Sequence, residues 1–145
     1  RVVLITYIQL FNTRMEILFL VARILFGGYF FMNGINHVRK SEMMTPYASA
    51  KGVPLPKLAV VGSGLMILLG GLGILLGVYI EWAVFLLAVF LIVVTFKMHN
   101  FWTIEDPSAK MMDMIMFMKN VALLGATLAF LFIPTPWAFS LTSVL

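Results

Sequence analysis

The sequence predicts an all-α membrane protein, a bundle of four transmembrane helices with a short interfacial helix in its first loop. Three observations carry that expectation. Of 145 residues, 62% are hydrophobic and only 11% charged, against about 45–50% apolar and about 25% charged in an ordinary soluble domain. Four apolar stretches reach the about 17–25 residues that a spanning helix needs. The Lys and Arg residues gather in two of the connections between those stretches. With a mean hydropathy of +1.04, a globule of this length would have too little polar surface to stay soluble. A soluble enzyme, a nucleic-acid-binding domain and a disordered chain are thereby excluded, and the length fits one domain.

In chain order, residues 1–14 are too few to span a bilayer and lack the small-residue cleavage pattern of a signal peptide. They read as an interfacial or partner-contacting segment, and Arg1 at the first position implies that the natural start lies upstream. The transmembrane domain covers 15–136, with spans at about 15–36, 58–80, 82–98 and 111–133. In the first connection, Thr45, Pro46 and Gly52 read as N-cap, first position and C′ of a short helix. Pro54 and Pro56 then make an extended lead into the second span. Residues 58–96 carry a single charge, Glu81, so a tight turn across Gly77–Glu81 must split them into a hairpin. Pro134 and Pro136 close the fourth helix, because proline cannot continue the hydrogen-bond ladder. Residues 137–145 form a C-terminal tail.

The connection 38–57 holds Arg39, Lys40, Lys51 and Lys57 against Glu42, and the connection 97–110 adds Lys97 and Lys110. With four spans these connections share one side, and the positive-inside rule places them in the cytoplasm with both termini outside. The expected setting is a prokaryotic cytoplasmic membrane. The chain has no cysteine, which removes thiolate metal sites, iron–sulfur clusters and dithiol exchange. A redox role would therefore draw on a bound cofactor or a partner.

Polar residues inside the spans are where chemistry is sought. Arg23 lies near the middle of the first span, where a charge costs about 2.5–3.5 kcal/mol even on the lenient insertion scale. Glu16, Leu20, Arg23, Gly27, Phe30, Gly34 and His37 recur at intervals of four and three and share one stripe. Gly27 and Gly34 on that stripe admit a neighbouring helix closely, as Gly73 and Gly77 do on the second span. Arg23 thus faces the bundle, with Glu16 and Glu81 as candidate counter-charges. A plainer alternative has it snorkel to the outer headgroups. Asp113, Asn120 and Thr127 form a second stripe on the fourth span, and Lys119 is a further ionisable residue there.

His37, His99, Asn100 and Trp102 gather at the cytoplasmic side and, with Arg23, are candidate contacts for a quinone or another polar headgroup. Histidine, asparagine and tryptophan at helix ends are also routine interfacial anchors. Nothing in the spacing of the two histidines demands haem, and no metal site is expected. The methionines from Met111 to Met118 occupy nearly every helix face, which suits adaptable apolar packing better than Cu(I).

Several of these segments resemble the DoxX family of small four-helix membrane proteins. The run Thr95-Phe96-Lys97-Met98-His99-Asn100-Phe101-Trp102, followed by Glu105-Asp106-Pro107, resembles a family signature. Met118-Lys119-Asn120 through Gly125 resembles the fourth helix, and Ala22-Arg23 with Gly27 and Gly34 the first. Tyr47-Ala48 through Gly52-Val53-Pro54 resembles the first connection. The resemblance implies a respiratory or redox membrane context, including the membrane subunit of a thiosulfate:quinone oxidoreductase. Family members often carry a glutamate where this chain reads Gly62-Ser63-Gly64, so an expected partner of Arg23 is missing.

No catalytic constellation is visible, so the leading expectation is a non-catalytic accessory subunit of a larger respiratory or photosynthetic membrane complex. Its expected partners are membrane lipids and other integral subunits, with no nucleic acid. The alternative is a quinone-interacting subunit of a membrane oxidoreductase. A small transporter or channel is third, on the intramembrane charges Arg23, Asp113 and Lys119. No covalently bound cofactor is expected; a quinone or a lipid is the candidate ligand.

Overall fold

The computed structural model describes residues 2–143, with side chains for residue 9 and residues 11–142. Arg1 and most side chains of the expected N-terminal segment lie outside the described residues. The backbone of that segment is helical and continuous with the first span: α1 runs Val2–Arg39 without a break. At about 1.5 Å per residue this helix is about 57 Å long, nearly twice the about 30 Å hydrocarbon core. The expected boundary at residue 15 is therefore not a change of backbone.

After α1 come α2 (Ser41–Ala50), α3 (Pro56–Leu76), α4 (Ile80–Met98) and α5 (Pro107–Ala129). Four of the helices are long and apolar enough to cross a membrane. α3 packs between α1 and α4, α4 packs on α5, and α2 lies against α3. The turn just after α5 rejoins α1 through aromatic rings, where Phe130 meets Phe19 and Phe26.

The glycines set how closely α3 is flanked. A Cβ on Gly71 would lie 2.5 Å from the Phe31 backbone nitrogen, and one on Gly34 would lie 2.6 Å from that of Leu68. Gly27 is equally tight against Gly71 and Leu75, so α1 and α3 touch backbone to backbone. Gly73 faces Ala83 of α4. Gly77 does not act with Gly73 as a helix-packing pair. It sits at φ 71° as the C-cap of α3, a left-handed conformation that glycine adopts at no steric cost.

Three boundaries differ from the sequence expectation. α2 begins at Ser41, with Pro46 inside it and the Thr45 hydroxyl donating to the Ser41 carbonyl rather than capping. Its C-terminus is as expected: Gly52 donates to Ser49 and Val53 to Ala48, the paired bonds of a Schellman motif. Leu55, between the two prolines, turns back at φ 46° instead of extending. α5 starts four residues before residue 111, because Asp106 accepts from the Ala109 amide at 2.7 Å and Pro107 supplies the first helical φ.

Candidate functional site

The polar residues divide between the two ends of the bundle. At the α3 C-terminus Arg23 is completely buried. Its Nε donates to Ile74 O at 3.2 Å, Nη2 to Leu75 O at 2.9 Å and Nη1 to Ala138 O at 2.8 Å. Neither expected counter-charge is used: Glu16 and Glu81 are exposed, and the ion pairs among the described residues lie elsewhere. The charge is met instead by helix-end carbonyls, where the α3 dipole is negative. Phe19 and Trp137 flank the guanidinium, with ring centroids 5.9 and 5.3 Å away.

Residues beyond 136 are part of this seal. Trp137 and Ser140 are buried, and Ala138 supplies one of the three carbonyls. Their sequence signal is weak, since a backbone carbonyl leaves no mark on residue type. Arg23 neither snorkels nor contacts His37, which lies fourteen residues along α1, or about 21 Å at about 1.5 Å per residue.

The other end is more open. A cavity of about 570 Å³ lies under α2, between α3 and α4, and is lined almost wholly by apolar side chains. Its polar lining comes from His37 of α1, Ser63 of α3 and Lys97 and His99 at the end of α4. Ser63 Oγ is 3.4 Å from His37 Nδ1, and His37 packs edge-on to Phe90. Met44, Tyr47 and Ala48 of α2 roof the space.

Beside the cavity, Asp113 of α5 accepts from Lys51 Nζ at 2.9 Å and from His99 Nδ1 at 3.3 Å. Lys51 Nζ also lies 3.3 Å from Asn100 Oδ1. One carboxylate thus ties the end of α2 to α5 and holds one cavity imidazole. Asp113 therefore has two partners, the Lys51 ammonium and the His99 imidazole, that its stripe with Asn120 and Thr127 did not reveal.

Of the five candidate headgroup contacts, His37 and His99 share the cavity, and Asn100 adjoins it through Lys51. Trp102 packs against Phe101 and Phe117 away from it, and Arg23 is at the opposite end. On α5, Asn120 and Thr127 face inward and are buried. Lys119 is on the exposed face, with its ammonium 3.3 Å from Met116 Sδ. Ser63, Lys51 and Lys97 were missed as site residues. Ser63 was the most legible of them, a hydroxyl in the middle of a glycine-rich apolar span.

The position of Ser63 also corrects the partner implied for Arg23. A glutamate at 62–64 would stand beside His37 at the cavity, not beside Arg23, whose α3 contacts are Ile74 and Leu75. No group of three or more His, Asp or Glu residues placed to hold a metal ion occurs among the described residues.

Comparison with curated proteins and with solved structures finds no match. The family model for DoxX matches residues 18–100, which takes in most of the first span, the second and third helices α3 and α4, the roof helix and both cavity histidines. The match covers more than half of the sequence, and the chain belongs to the DoxX family.

Proposed function

We propose that this chain is an integral subunit of a larger membrane complex and holds a quinone-type ligand in the cavity beneath α2. The cavity carries the reading. At about 570 Å³ it falls in the about 300–1,000 Å³ range of small-molecule sites. Its apolar walls suit a ring and the start of a lipid tail. Its few polar groups, His37, Ser63, Lys97 and His99, suit the oxygens of a headgroup.

With loops 38–57 and 97–110 on the cytoplasmic side, that headgroup would sit just below the cytoplasmic lipid headgroups. The chain has no cysteine for a dithiol or an iron–sulfur cluster, so we assign electron exchange with the ligand to a partner subunit. The outward face of α5 supports the subunit part of the reading: Met111, Met118 and Lys119 are exposed on a spanning helix. The transporter reading has less support. Arg23 is sealed at one end, Asp113 is paired at the other, and Lys119 faces outward, so these charges do not line one path.

The test uses the chain purified from its native membrane in mild detergent, extracted with organic solvent and assayed for quinone. Gly62 lines the cavity and has open space for an added Cβ, so Gly62→Phe is the substitution chosen to put a ring at the cavity wall. The expected result is stoichiometric quinone in the unaltered chain and its loss in Gly62→Phe. Equal quinone in both, or none in either, refutes the reading.

A further inference from the structure

Lys119 lies midway along the 26-residue span Pro107–Phe132 and is exposed on the outer surface of the bundle. It is the last charge in the sequence. Its side chain leans back toward the start of α5, as helical side chains do, and the ammonium reaches the Met116 sulfur at 3.3 Å. Met116 is itself about 9 Å inside Lys110 at about 1.5 Å per residue, so the charge stays within the apolar part of the span. A thioether is a weak acceptor, and the ion pairs among the described residues are those of Asp113 with Lys51 and His99. A lysine at mid-span ordinarily faces a bundle interior and finds a partner there. This one faces away from its own bundle.

The surface around it is built of small residues. Met112, Ile115, Lys119, Ala122, Ala126 and Ala129 follow at intervals of three and four and share one exposed face of α5. That face is turned away from the buried Asn120 and Thr127. Ala122 with Ala126, and Gly125 with Ala129, stand four apart, the spacing that lets two spanning helices come into close contact. Elsewhere in the bundle this chain fills the space that such residues leave: a Cβ on Gly27, Gly34 or Gly71 would lie under 3 Å from a neighbouring backbone. Gly125 has nothing within 4 Å of an added Cβ, so packing within the chain does not account for it.

We propose that this face of α5 docks a transmembrane helix of a different subunit, and that the docked helix carries an aspartate or glutamate at the depth of Lys119. The inference rests on the subunit part of the reading above and is independent of the ligand in the cavity. Charge complementarity selects the occupant. A second copy, paired about an axis along the membrane normal, would set Lys119 against Lys119 at one depth. This chain has six carboxylates, and none is free at mid-span. Asp113 is paired, Glu42, Glu105 and Asp106 stand on the side of the basic connections, and Glu16 and Glu81 lie near the opposite ends of their spans. A carboxylate on a partner helix neutralises the ammonium away from water, and the small residues beyond Lys119 let that helix approach.

The test treats native membranes holding the tagged chain with a membrane-permeant carbodiimide, which condenses a carboxylate and a neighbouring amine into an amide. The expected product, located by peptide mass spectrometry, joins Lys119 Nζ to an Asp or Glu inside a spanning helix of another protein. Retention of that protein is expected to fall about tenfold or more in Lys119→Leu and to persist in Lys119→Arg, because removing one member of a desolvated pair strands the other charge. Ala126→Leu adds bulk to the same face and is expected to weaken retention as well. SDS unfolding of each purified variant separates loss of docking from loss of fold. An intact complex in Lys119→Leu overturns the inference. So does a link from Lys119 to a second copy or to a lipid, or no link at all while other subunits co-purify, and the subunit reading survives these results. An unaltered chain that purifies alone from its native membrane removes that reading and this inference together.

Discussion

Replacing Arg23 with methionine tests whether the buried charge in α1 is structural. Gly77 and Val78 both donate to the Gly73 carbonyl, so the carbonyls of Ile74 and Leu75 at the end of α3 take hydrogens from the guanidinium. Ala138 O is the third acceptor and ties the C-terminal segment to α1. In Arg23→Met all three lose their donor in a fully buried site. At about 1–3 kcal/mol for each unsatisfied group, the loss is about 3–9 kcal/mol. Removing the charge returns about 2.5–3.5 kcal/mol on the insertion scale. Net destabilisation of about 3 kcal/mol is expected, close to the low end for breaking a buried charged interaction from one side.

Reversible unfolding by SDS in mixed micelles measures this difference. Arg23→Lys is the control: it keeps the charge, but its ammonium cannot match the fork of five guanidinium donors and should recover only part of the loss. The reasoning fails if Arg23→Met lies within about 0.5 kcal/mol of the parent, as an unremarkable surface change would. It also fails if methionine stabilises the protein, since the arginine would then be kept at a cost for some purpose other than the fold.

Four further outcomes follow from contacts elsewhere in the bundle. Gly71→Ala forces a Cβ to 2.5 Å from the Phe31 amide nitrogen and should part α1 from α3, costing at least the about 1–3 kcal/mol of core overpacking. Gly125→Ala has nothing within 4 Å of the added carbon and should be neutral in the same SDS titration. Lys51→Met cuts the tie from α2 to Asp113 and Asn100. Hydrogen exchange should then rise across Ser41–Ala50 and not in α3 or α4, and unchanged protection would show that apolar contact alone holds α2 in place. Lys119→Leu removes an exposed charge from the spanning part of α5, so the isolated chain should be as stable or more stable. Native purification should also show weaker retention of co-purifying subunits, and full retention would remove Lys119 from any subunit contact.

The four spans were legible because an apolar stretch of bilayer length has few other uses, and the stripes on α1 and α5 because helical periodicity orders residues by face. Arg23, Gly27, Phe30 and Gly34 are indeed buried together, and so are Asn120 and Thr127. What escaped were interactions whose partners leave no side-chain signal. The sequence offers Arg23 only Glu16 or Glu81, since only a carboxylate announces itself as a counter-charge, whereas three backbone carbonyls hold it. Asp106 was absorbed into a motif, and its capping of α5 moved that helix start toward the loop. His37 and His99 could be placed at the same membrane side from the spans alone. That α2 folds over them to leave a space depends on the Schellman turn at Gly52 and the left-handed Leu55, and only the first of these was signalled by its residue type.

The two ends of the bundle answer the problem of charge in lipid in opposite ways, and the difference explains why only one is a candidate site. Around Arg23 every guanidinium nitrogen has a carbonyl partner, and aromatic rings and the C-terminal segment cover it. A ligand there would have to break three charge-assisted bonds at about 1.5–3 kcal/mol each before gaining any. At the cavity, Asp113 is satisfied by Lys51 and His99, while the His37 and His99 rings stand on the lining of an open space. Gly62-Ser63-Gly64, where the resemblance leads one to expect a glutamate, belongs to this second end. A carboxylate there would hold the His37 imidazole as Asp113 holds that of His99. With Ser63 instead, the α3 wall offers that ring a hydroxyl in place of a carboxylate.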